Sequence, residues 1–422
     1  MSCIRIYPST PCGLVRAPPS KSHTHRALIL ASLCTSPVRI KNPLLAEDTL
    51  ATIDAILGFG SIIAHPGKGS LVVQGELRTP DKPINVRESG TTLRLMAGVA
   101  GLVPGETTLT GYGSLLRRPM RPLLTSLEDL GARTSSDNGF PPVHVSGKMR
   151  GGKTSITGEM SSQFISSLMI SGPLTENGVE IHVTGKPVSR PYLRLTESLL
   201  TRFGIWCEMS ENLIYLPGGQ TPSAANYTVP GDFSSASFIL SAAAISSGSD
   251  VTVTGLTDRE QADAGIVSIL SSFGANVSAS GSGVRVRGED GLHPVALDLH
   301  DSPDLFPVAC ILAARAKGTS RIRCSHLRFK ESDRITAMYR LLVGIGVEAR
   351  ELEDGVEIFG RGHIPGGEIP AINDHRVIMA GAIAGIPSEK GTTIQNADAV
   401  RKSYPGFFDD LKALNVSMEG EG

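Results

Sequence analysis

The sequence predicts an α/β protein, of the α+β type, with two pseudo-symmetric domains that each contain three units of strands and helices. Two observations support this fold class. The chain has 422 residues, which is more than one typical domain holds. A pattern of about 70 residues also recurs along it. Ligands of such a protein are expected in the cleft between the domains, where both can contribute residues.

The repeat is marked by a turn that joins the end of an amphipathic helix to the start of a strand. Glycine or asparagine occupies this turn in all six repeats, at Gly60, Gly131, Gly204, Gly274, Gly346 and Asn415. Both residue types tolerate the left-handed conformation that closes many helices. Glycines between helices and strands occur in any α/β protein, but the even spacing favours a true repeat.

Alternating apolar residues predict the strands between these turns. The clearest predicted strands cover residues 153–158, 179–185, 250–256, 282–288 and 354–360. Helices are predicted over 234–245 and 333–342. Pro230-Gly231 interrupts the pattern, so we expect a domain boundary there.

Composition excludes several classes of protein. The chain has 40 Lys+Arg against 41 Asp+Glu, and this balance argues against nucleic acid or a membrane surface as the main partner. Its six cysteines form no CxxC pair, which indicates neither a disulfide framework nor a zinc site. The N-terminal residues do not resemble a signal peptide, and no apolar run is long enough to span a membrane. We therefore expect a cytoplasmic protein, a monomer by default.

Basic and hydroxyl side chains nevertheless cluster at predicted helix starts. "PPSKSHTHRALILASL" (18–33) places Lys21, Ser22 and Arg26 at or near a helix N-terminus, where free N–H groups favour anions. "ESGTTLRL" (88–95), "LLRRPMRP" (115–122) and "EMSSQFISSLMI" (159–170) show similar features. Each of them alone is also consistent with helix caps or a solvated basic loop.

"LRFKESDRITAM" (327–338) is the most informative of these segments. Lys330, Glu331 and Arg334 place an acid between two cations just before a helix. Such a carboxylate is either part of a salt-bridge network or a proton-transfer group in an anion pocket, and the sequence leaves both readings open. The chain contains no HExxH, GxSxG or P-loop motif, and the spacings His23-Thr-His25 and Cys324-Ser-His326 are unlike usual zinc sites, so no metal is expected.

Taken together, these segments resemble one known family. "PPSKSHTHRALILASL", "ESGTTLRLMAG", "RRPMRPLL", "SSQFISSLMISGP", "GDFSSASFILSAAAI", "LRFKESDRI", "DHRVIMA" and "KSYPGFFDDL" occur in the order found in the EPSP synthase family of enolpyruvyl transferases. The resemblance covers essentially the whole chain. It is specific as a combination, although no single motif is.

The resemblance implies two domains, each of three βαβαββ-type units, with the substrate site in the interdomain cleft. The first domain would be discontinuous, comprising residues 1–19 and 230–422, and the second would comprise residues 20–229. The implied reaction transfers the enolpyruvyl group of phosphoenolpyruvate to the 5-hydroxyl of shikimate 3-phosphate, releasing phosphate, in the shikimate pathway to aromatic amino acids. It needs no cofactor. Both substrates are anions, which would explain the basic clusters.

Site residues are carried over only where this sequence matches the family's motifs. The positions implied for phosphoenolpyruvate are Lys21, Gly90, Arg118, Gln163, Arg334, Arg376 and Lys402. Those implied for shikimate 3-phosphate are Lys21, Ser22, Arg26, Ser161, Ser162, Gln163, Ser189, Tyr192, Asp304, His326 and Lys330. Asp304 would accept the proton of the attacking hydroxyl, Glu331 would protonate the methylene carbon, and Lys21 and His375 complete the implied catalytic set.

Two departures and two alternatives remain. Glu88 and His326 stand where many relatives carry asparagine, and Glu88 would add negative charge near an anion pocket. Transfer to UDP-N-acetylglucosamine would use the same fold, but that family usually has a cysteine in the loop that reads "TGYGSLLRRP" here. An RNA-end-processing or RNA-binding protein built from similar units would have a broad basic surface and aromatic stacking residues, and the balanced charge and 5% aromatic residues argue against it.

Overall fold

A computed structural model describes residues 3–67 and 69–421, apart from the side chains of Phe329 and Glu421. The chain divides into two compact units. Unit 1 comprises the residues up to Ser20 and those from Pro230 onward, and unit 2 comprises Lys21–Val229. Ser20, which the sequence-based division assigns to the second domain, lies in unit 1, where its backbone N–H donates to the carbonyl of Pro230 at 2.8 Å.

The helices and strands are numbered in chain order. The helices are α1 Lys21–Ser32, α2 Glu47–Gly58, α3 Gly90–Ala100, α4 Arg121–Asp129, α5 Ser162–Ser171, α6 Pro191–Arg202, α7 Phe233–Ile245, α8 Ile266–Ser272, α9 Phe306–Arg315, α10 Arg334–Gly344, α11 His375–Gly385 and α12 Phe407–Ala413. The strands are β1 Cys3–Ile6, β2 Cys12–Arg16, β3 Val38–Lys41, β4 Ile62–Ala64, β5 Ser70–Gln74, β6 Ile84–Asn85, β7 Glu106–Thr110, β8 Arg133–Asp137, β9 Phe140–Ser146, β10 Gly152–Thr157, β11 Val179–Thr184, β12 Glu208–Met209, β13 Leu213–Leu216, β14 Asn226–Thr228, β15 Asp250–Thr254, β16 Asn276–Ser280, β17 Gly283–Arg287, β18 Ala296–Asp298, β19 Lys317–Arg323, β20 Ala349–Leu352, β21 Gly355–Arg361, β22 Gly367–Ile369, β23 Thr392–Gln395 and β24 Met418–Glu421. The strands and helices predicted from the sequence are present, with ends that differ by one or two residues.

Each unit contains three four-stranded sheets with one shared topology. In unit 2 the strand orders are β14-β3-β5-β4, β6-β7-β9-β8 and β10-β11-β13-β12. In unit 1 they are β22-β23-β1-β24, β2-β15-β17-β16 and β18-β19-β21-β20. In every sheet the first two strands are parallel and the other neighbours are antiparallel. This is the pattern of a βαβαββ unit, and the predicted six-fold repeat is confirmed.

Three of the repeats are completed by strands from distant parts of the chain. β14 pairs in parallel with β3, with Tyr227 opposite Ile40. β2 pairs in parallel with β15, with Gly13 opposite Val251, and β1 supplies the central partner of β23 and β24. β1, β2 and β14 each lie shortly before a point where the chain passes from one unit to the other. They therefore complete sheets whose other strands are far away in the sequence.

The marker turns adopt the left-handed conformation that the sequence predicts. The backbone φ angle is positive at all six positions, from +66° at Asn415 to +105° at Gly60. Each turn follows the second helix of its repeat and reverses the chain into the next strand. The chemistry of this turn is retained because most side chains are strained at such angles.

The first helix of each repeat forms the interior of its unit. These helices are α1, α3 and α5 in unit 2 and α7, α9 and α11 in unit 1, and nearly all of their residues are buried. A helix buried on all sides carries apolar residues around its circumference, as in "FSSASFILSAAAI" of α7. In the part of the chain that the structure describes, no helix combines the length and apolar character needed to cross a bilayer.

Asn415 provides a test of the turn's conformational requirement. We expect Asn415→Ala to lower the free energy of unfolding by about 1 kcal/mol, because alanine is strained at positive φ. Asn415→Gly should stay within about 0.5 kcal/mol of the wild type, since glycine adopts this conformation freely. Urea unfolding of the purified variants measures both changes.

Gly420→Ala serves as the matched control for alanine substitution. Gly420 lies in the same unit, in strand β24 and outside the left-handed region, and a Cβ there meets its nearest atoms at 3.9 Å, so this change should not destabilise. Equal losses for Asn415→Ala and Asn415→Gly would instead assign the effect to the asparagine side chain, which donates to the carbonyl of Cys12 at 3.4 Å.

Candidate active site

Predicted site residues of unit 2 lie at the N-termini of its buried helices. Lys21 is the first residue of α1, and its Nζ lies 2.9 Å from Oδ2 of Asp48, in the first turn of α2. The carbonyl of Asp48 accepts from the hydroxyl of Thr92 in α3 at 3.3 Å. The start of α1 is thus tied through α2 to the start of α3, and an anion that approaches Lys21 has to share it with Asp48.

Arg26 lies deeper, between helices α1, α5 and α6. Its guanidinium donates to the hydroxyls of Thr196 at 2.8 Å and Ser166 at 3.2 Å, and to the carbonyl of Ser22 at 3.2 Å. Burial lowers the pKa of Arg26 to about 10, although Tyr192 opposes this shift. At neutral pH the group is therefore still a cation, surrounded here by neutral acceptors.

A second buried arginine, Arg94, was not identified from the sequence. Its Nη1 donates to Oε1 of Gln163 at 2.9 Å, and its guanidinium lies 5.0 Å above the centre of the Phe164 ring. Gln163 in turn donates to the hydroxyl of Thr91 at 2.9 Å. These contacts join the starts of α3 and α5. The sequence feature that could have identified Arg94 is a charged residue, four positions after Gly90, within an otherwise apolar helix.

Gly90 and Arg118 meet at the N-terminus of α3. The helix begins at Gly90, after Ser89 caps it by accepting from the N–H of Thr92 at 3.2 Å. A Cβ at position 90 would overlap Nη1 of Arg118, so glycine is required for the guanidinium to approach this closely. Arg118 is 7% exposed. A guanidinium at the positive end of a helix is unfavourable alone and favours an anion between them.

A chain of buried hydrogen bonds supports the same helix start. Nδ1 of His25 lies 2.6 Å from the hydroxyl of Thr52, which lies 2.7 Å from that of Thr92. Thr92 in turn lies 2.7 Å from the hydroxyl of Ser89. Burial, followed by the charges of Lys21 and Arg26, lowers the pKa of His25 well below its usual value. His25 is therefore neutral and acts as a structural partner.

The remaining predicted residues of unit 2 occupy two further helix starts. Ser161 caps α5 by accepting from the N–H of Gln163 at 3.3 Å, and Ser162 is the first residue of that helix. Ser189 is buried in the left-handed region at φ +55°, and its carbonyl accepts from the N–H of Tyr192 at 3.0 Å in the first turn of α6. The hydroxyl-bearing residues are thus at helix N-termini, as the sequence suggested.

Unit 1 contains a network centred on Arg334, at the start of α10. Its guanidinium contacts three carboxylates: Asp374 at 3.0 Å, Glu331 at 2.8 Å and Asp304 at 3.0 Å. Burial alone would lower the pKa of Arg334, but these three carboxylates outweigh burial and raise it. The structure therefore places Glu331 of the Lys-Glu-Ser-Asp-Arg segment in a salt-bridge network, and its role in proton transfer stays a prediction.

Asp304 is held by two cations. Arg334 Nη1 lies 3.0 Å from Oδ1, and Arg376 Nη2 lies 2.8 Å from Oδ2. Asp304 precedes α9, whereas Arg376 is in the first turn of α11, which Asp374 caps by accepting from the N–H of Arg376 at 3.0 Å. The side chain of Asp304 is 23% exposed, against 1% for Arg334. Asp304 is therefore the most exposed carboxylate of this network, followed by Glu331 at 16%.

The loop that carries Lys330 and Glu331 is fixed by Arg328. This arginine donates to Asp333 at 2.7 Å, to Glu351 at 3.1 Å and to the carbonyls of residues 352 and 353. Asp333 caps α10 by accepting from the N–H of Thr336 at 3.2 Å. Arg328 thereby ties the start of α10 to the hairpin formed by β20 and β21.

His326 lies in the same loop, beside Cys324 and His300. Its Nδ1 is 3.7 Å from Sγ of Cys324, and its ring packs edge-on against His300 with centroids 5.5 Å apart. Burial, followed by Lys330 and His300, lowers the pKa of His326 to about 3. Burial raises the pKa of the Cys324 thiol to about 12. At neutral pH both groups are uncharged, so they form no thiolate–imidazolium pair.

No three His, Cys, Asp or Glu side chains among the described residues are arranged to hold a metal ion.

Two predicted residues and one unpredicted residue complete the unit 1 cluster. His375 is the first residue of α11 and is buried, as is Lys402 at the end of a short 3-10 helix. Asp263 was missed, because an acid within "REQADAG" gives no distinctive signal. It is 3% exposed. Burial first, and then Asp304, raise its pKa to about 7, although Arg376 opposes the shift.

Comparisons with known proteins give matches over nearly the whole chain. Residues 8–411 match the family model described as EPSP synthase (3-phosphoshikimate 1-carboxyvinyltransferase). A 3-phosphoshikimate 1-carboxyvinyltransferase of Methanocorpusculum labreanum is 41% identical over 414 residues, covering 97% of each chain. One from Methanothermobacter thermautotrophicus is 43% identical over 412 residues, covering 96% of each. Among solved structures, an EPSP synthase from Acinetobacter baumannii matches with a TM-score of 0.85 and 28% identity, covering 100% of both chains.

Asp263 generates a prediction about stability and pH. The unfolded chain ionises this acid near pH 4, whereas the folded protein holds its proton up to about pH 7. Stability contributed by the bound proton is therefore present at low pH and lost as pH rises between these values. We expect Asp263→Asn to raise Tm relative to the wild type more at pH 8 than at pH 5. Differential scanning calorimetry at both pH values measures this difference.

Asp81→Asn, at an exposed position of unit 2, provides the matched control and should show the same Tm difference at both pH values. Asp232, Asp304 and Arg376 also shift the pKa of Asp263. Each variant is therefore compared with the wild type in the same buffers at pH 5 and pH 8. A Tm difference for Asp263→Asn that does not change between pH 5 and pH 8 would contradict the raised pKa.

Proposed function

The chain belongs to the EPSP synthase family, and from that premise we propose how its two residue clusters divide the reaction. The reaction transfers the enolpyruvyl group of phosphoenolpyruvate to the 5-hydroxyl of shikimate 3-phosphate and releases phosphate. One cluster, at the helix starts of unit 2, binds the anionic groups of the substrates. The other, around Arg334 in unit 1, carries the proton transfers and contributes further cations that bind the substrates.

The unit 2 cluster is suited to phosphate and carboxylate groups. Arg118 at the start of α3 supplies a cation beside free helix N–H groups, and Gly90 leaves room for it. We assign phosphoenolpyruvate to Lys21, Gly90, Arg118 and Gln163 in this unit. Shikimate 3-phosphate is assigned to Lys21, Ser22, Arg26, Ser161, Ser162, Gln163, Ser189 and Tyr192. Neutral donors among these residues fit the hydroxyls and phosphate of the sugar-like ring.

The unit 1 cluster places an acid and a base in contact with the same cation. We assign Asp304 as the group that accepts the proton of the attacking 5-hydroxyl, and Glu331 as the acid that protonates the methylene carbon. Arg334, Arg376 and Lys402 bind phosphoenolpyruvate, His326 and Lys330 contact shikimate 3-phosphate, and His375 supports proton transfer. The observation that carries this assignment is that Asp304 and Glu331 contact the same guanidinium, that of Arg334.

The chemistry is an addition followed by an elimination. In the addition, the 5-hydroxyl oxygen bonds to the central carbon of phosphoenolpyruvate while the methylene carbon gains a proton, giving a tetrahedral adduct. In the elimination, the new methyl group loses a proton and the bond to the phosphate oxygen breaks. Both steps need a positioned acid and base, and neither needs a covalent nucleophile.

The role of Glu331 as the general acid is tested by a substitution that leaves no ionisable proton at this position. We expect Glu331→Gln to reduce kcat by about 10²- to 10⁴-fold, since the amide still accepts from Arg334 but donates no proton to carbon. KM for both substrates should change by less than about threefold. Phosphate release under saturating substrates measures kcat, and Glu353→Gln, at an exposed position in the following hairpin, is the control. Turnover within a few-fold of the wild type would remove Glu331 from the mechanism.

The acceptor is tested with the wild-type chain treated with EDTA. Phosphate release from phosphoenolpyruvate is expected with shikimate 3-phosphate and absent with UDP-N-acetylglucosamine. Turnover with the sugar nucleotide alone would show that the acceptor residues of unit 2 are assigned wrongly. Loss of turnover after EDTA treatment, restored by a divalent cation, would contradict a metal-independent reaction.

We further propose that the protein acts as a cytoplasmic monomer without nucleic acid or membrane partners. Support comes from the near balance of charges and from the six cysteines, all of which are free thiols in the structure. Clear retention on heparin at low salt would instead favour a nucleic-acid partner.

A further inference from the structure

We propose that Glu88 is a positioning residue, which holds the segment 112–118 so that Arg118 is presented at the N-terminus of α3. This inference rests on the assignment of Arg118 to phosphoenolpyruvate. It also answers a question raised by the sequence, namely why a carboxylate stands directly before an anion-binding helix start.

The carboxylate of Glu88 contacts the backbone of this segment. Its Oε1 accepts from the N–H of Ser114 at 2.9 Å, in the short 3-10 helix Gly113–Arg117. Two residues before Ser114, the N–H of Tyr112 donates to the carbonyl of Arg87 at 3.0 Å. Two consecutive residues, Arg87 and Glu88, therefore hold the segment at two adjacent points. A charged acceptor on a backbone N–H makes a stronger bond than a neutral one does.

Glycines in the segment are required by the same contact. Gly113 has φ +63°, and a Cβ there would overlap Oε1 of Glu88. A Cβ at Gly111 would overlap the carbonyl of Arg87. Gly111 lies against the backbone of Arg87, and Gly113 lies against the side chain of Glu88. Both contacts are so close that only a hydrogen atom fits in place of a Cβ. The packing between the two segments is thus specific, with Glu88 at its centre.

The held segment leads directly to Arg118. The N–H of Arg118 donates to the carbonyl of Leu115 at 3.0 Å, and Leu115 is fully buried. Nη2 of Arg118 lies 3.5 Å from the hydroxyl of Ser114, the residue whose N–H binds Glu88. The backbone and the side chain of Ser114 therefore link Glu88 to the guanidinium. Movement of this segment would move Arg118 away from Gly90.

The side-chain amide of glutamine could accept the same hydrogen bond from Ser114 as the Glu88 carboxylate does. Comparing Glu88→Ala with Glu88→Gln therefore tests the hydrogen bond itself. We expect Glu88→Ala to raise KM for phosphoenolpyruvate about tenfold while leaving KM for shikimate 3-phosphate within about twofold. Glu88→Gln should stay within about threefold of the wild type, because its amide oxygen also accepts from Ser114. The assay is phosphate release with the other substrate saturating. Glu211→Ala, at an exposed turn of the same unit, is the matched control.

Gly113→Ala disrupts the contact from the other side. It should also raise KM for phosphoenolpyruvate, and combining it with Glu88→Ala should give less than the product of the two separate effects, because both break one contact. Gly113→Ala by itself keeps the test decisive if Glu88→Ala folds poorly, because an unchanged KM for phosphoenolpyruvate in that variant would also overturn the proposal. Fully multiplicative effects would overturn the proposal.

The outcomes separate this inference from the assignment of Arg118. If Arg118→Lys raises KM for phosphoenolpyruvate and Glu88→Ala does not, the positioning role is wrong while the assignment stands. If neither variant changes KM, the assignment itself fails. A lower KM in Glu88→Gln would overturn the positioning role in another way, because it would show that the carboxylate repels the substrate.

Discussion

The guanidinium of Arg334 is the charge on which the architecture of unit 1 depends. It is 1% exposed and contacts carboxylates from three separate parts of the chain: Asp304 before α9, Glu331 before α10 and Asp374 at the cap of α11. A buried cation is tolerated only when its charge and its donors are satisfied, and removing one partner of a buried ion pair commonly costs about 3–5 kcal/mol. These three segments are therefore fixed relative to one another by one side chain.

Unit 2 satisfies its buried cations differently. Arg26 contacts hydroxyls and a backbone carbonyl, while Arg94 contacts the amide of Gln163 and the face of Phe164. Neutral partners satisfy the hydrogen bonds of a guanidinium but leave its charge uncompensated, as the lowered pKa of Arg26 indicates. Such a site attracts anions. The carboxylates of Asp304, Glu331 and Asp374 outnumber the one cation that they share, so the two clusters differ in chemistry as well as in residues.

The sequence predicted local features well because they depend on local rules. Positive φ at Asn415 and the other marker turns follows from residue type, and the start of α10 at Arg334 follows from a cap and an apolar period. The pairing of β14 with β3 was not predictable in the same way, because nothing in "NYT" specifies a partner some 190 residues earlier. The contacts of Arg94 and Asp263 depend on how helices pack, and no motif records that packing. The role of Glu88 required the coordinates of Ser114.

The repeat explains where the predicted site residues lie. Lys21, Gly90 and Ser162 each begin a first helix of a repeat in unit 2, and His375 does so in unit 1. Asp304 lies two residues before α9, the equivalent helix of another repeat. These helices are buried, so their N-termini are the places where unpaired N–H groups and the positive end of the dipole remain available. The first helix of the repeat, present six times, thus offers equivalent N-termini, which carry residues assigned to anion contacts in unit 2 and Asp304 and His375 in unit 1, whereas Glu331 lies before α10, the second helix of its repeat.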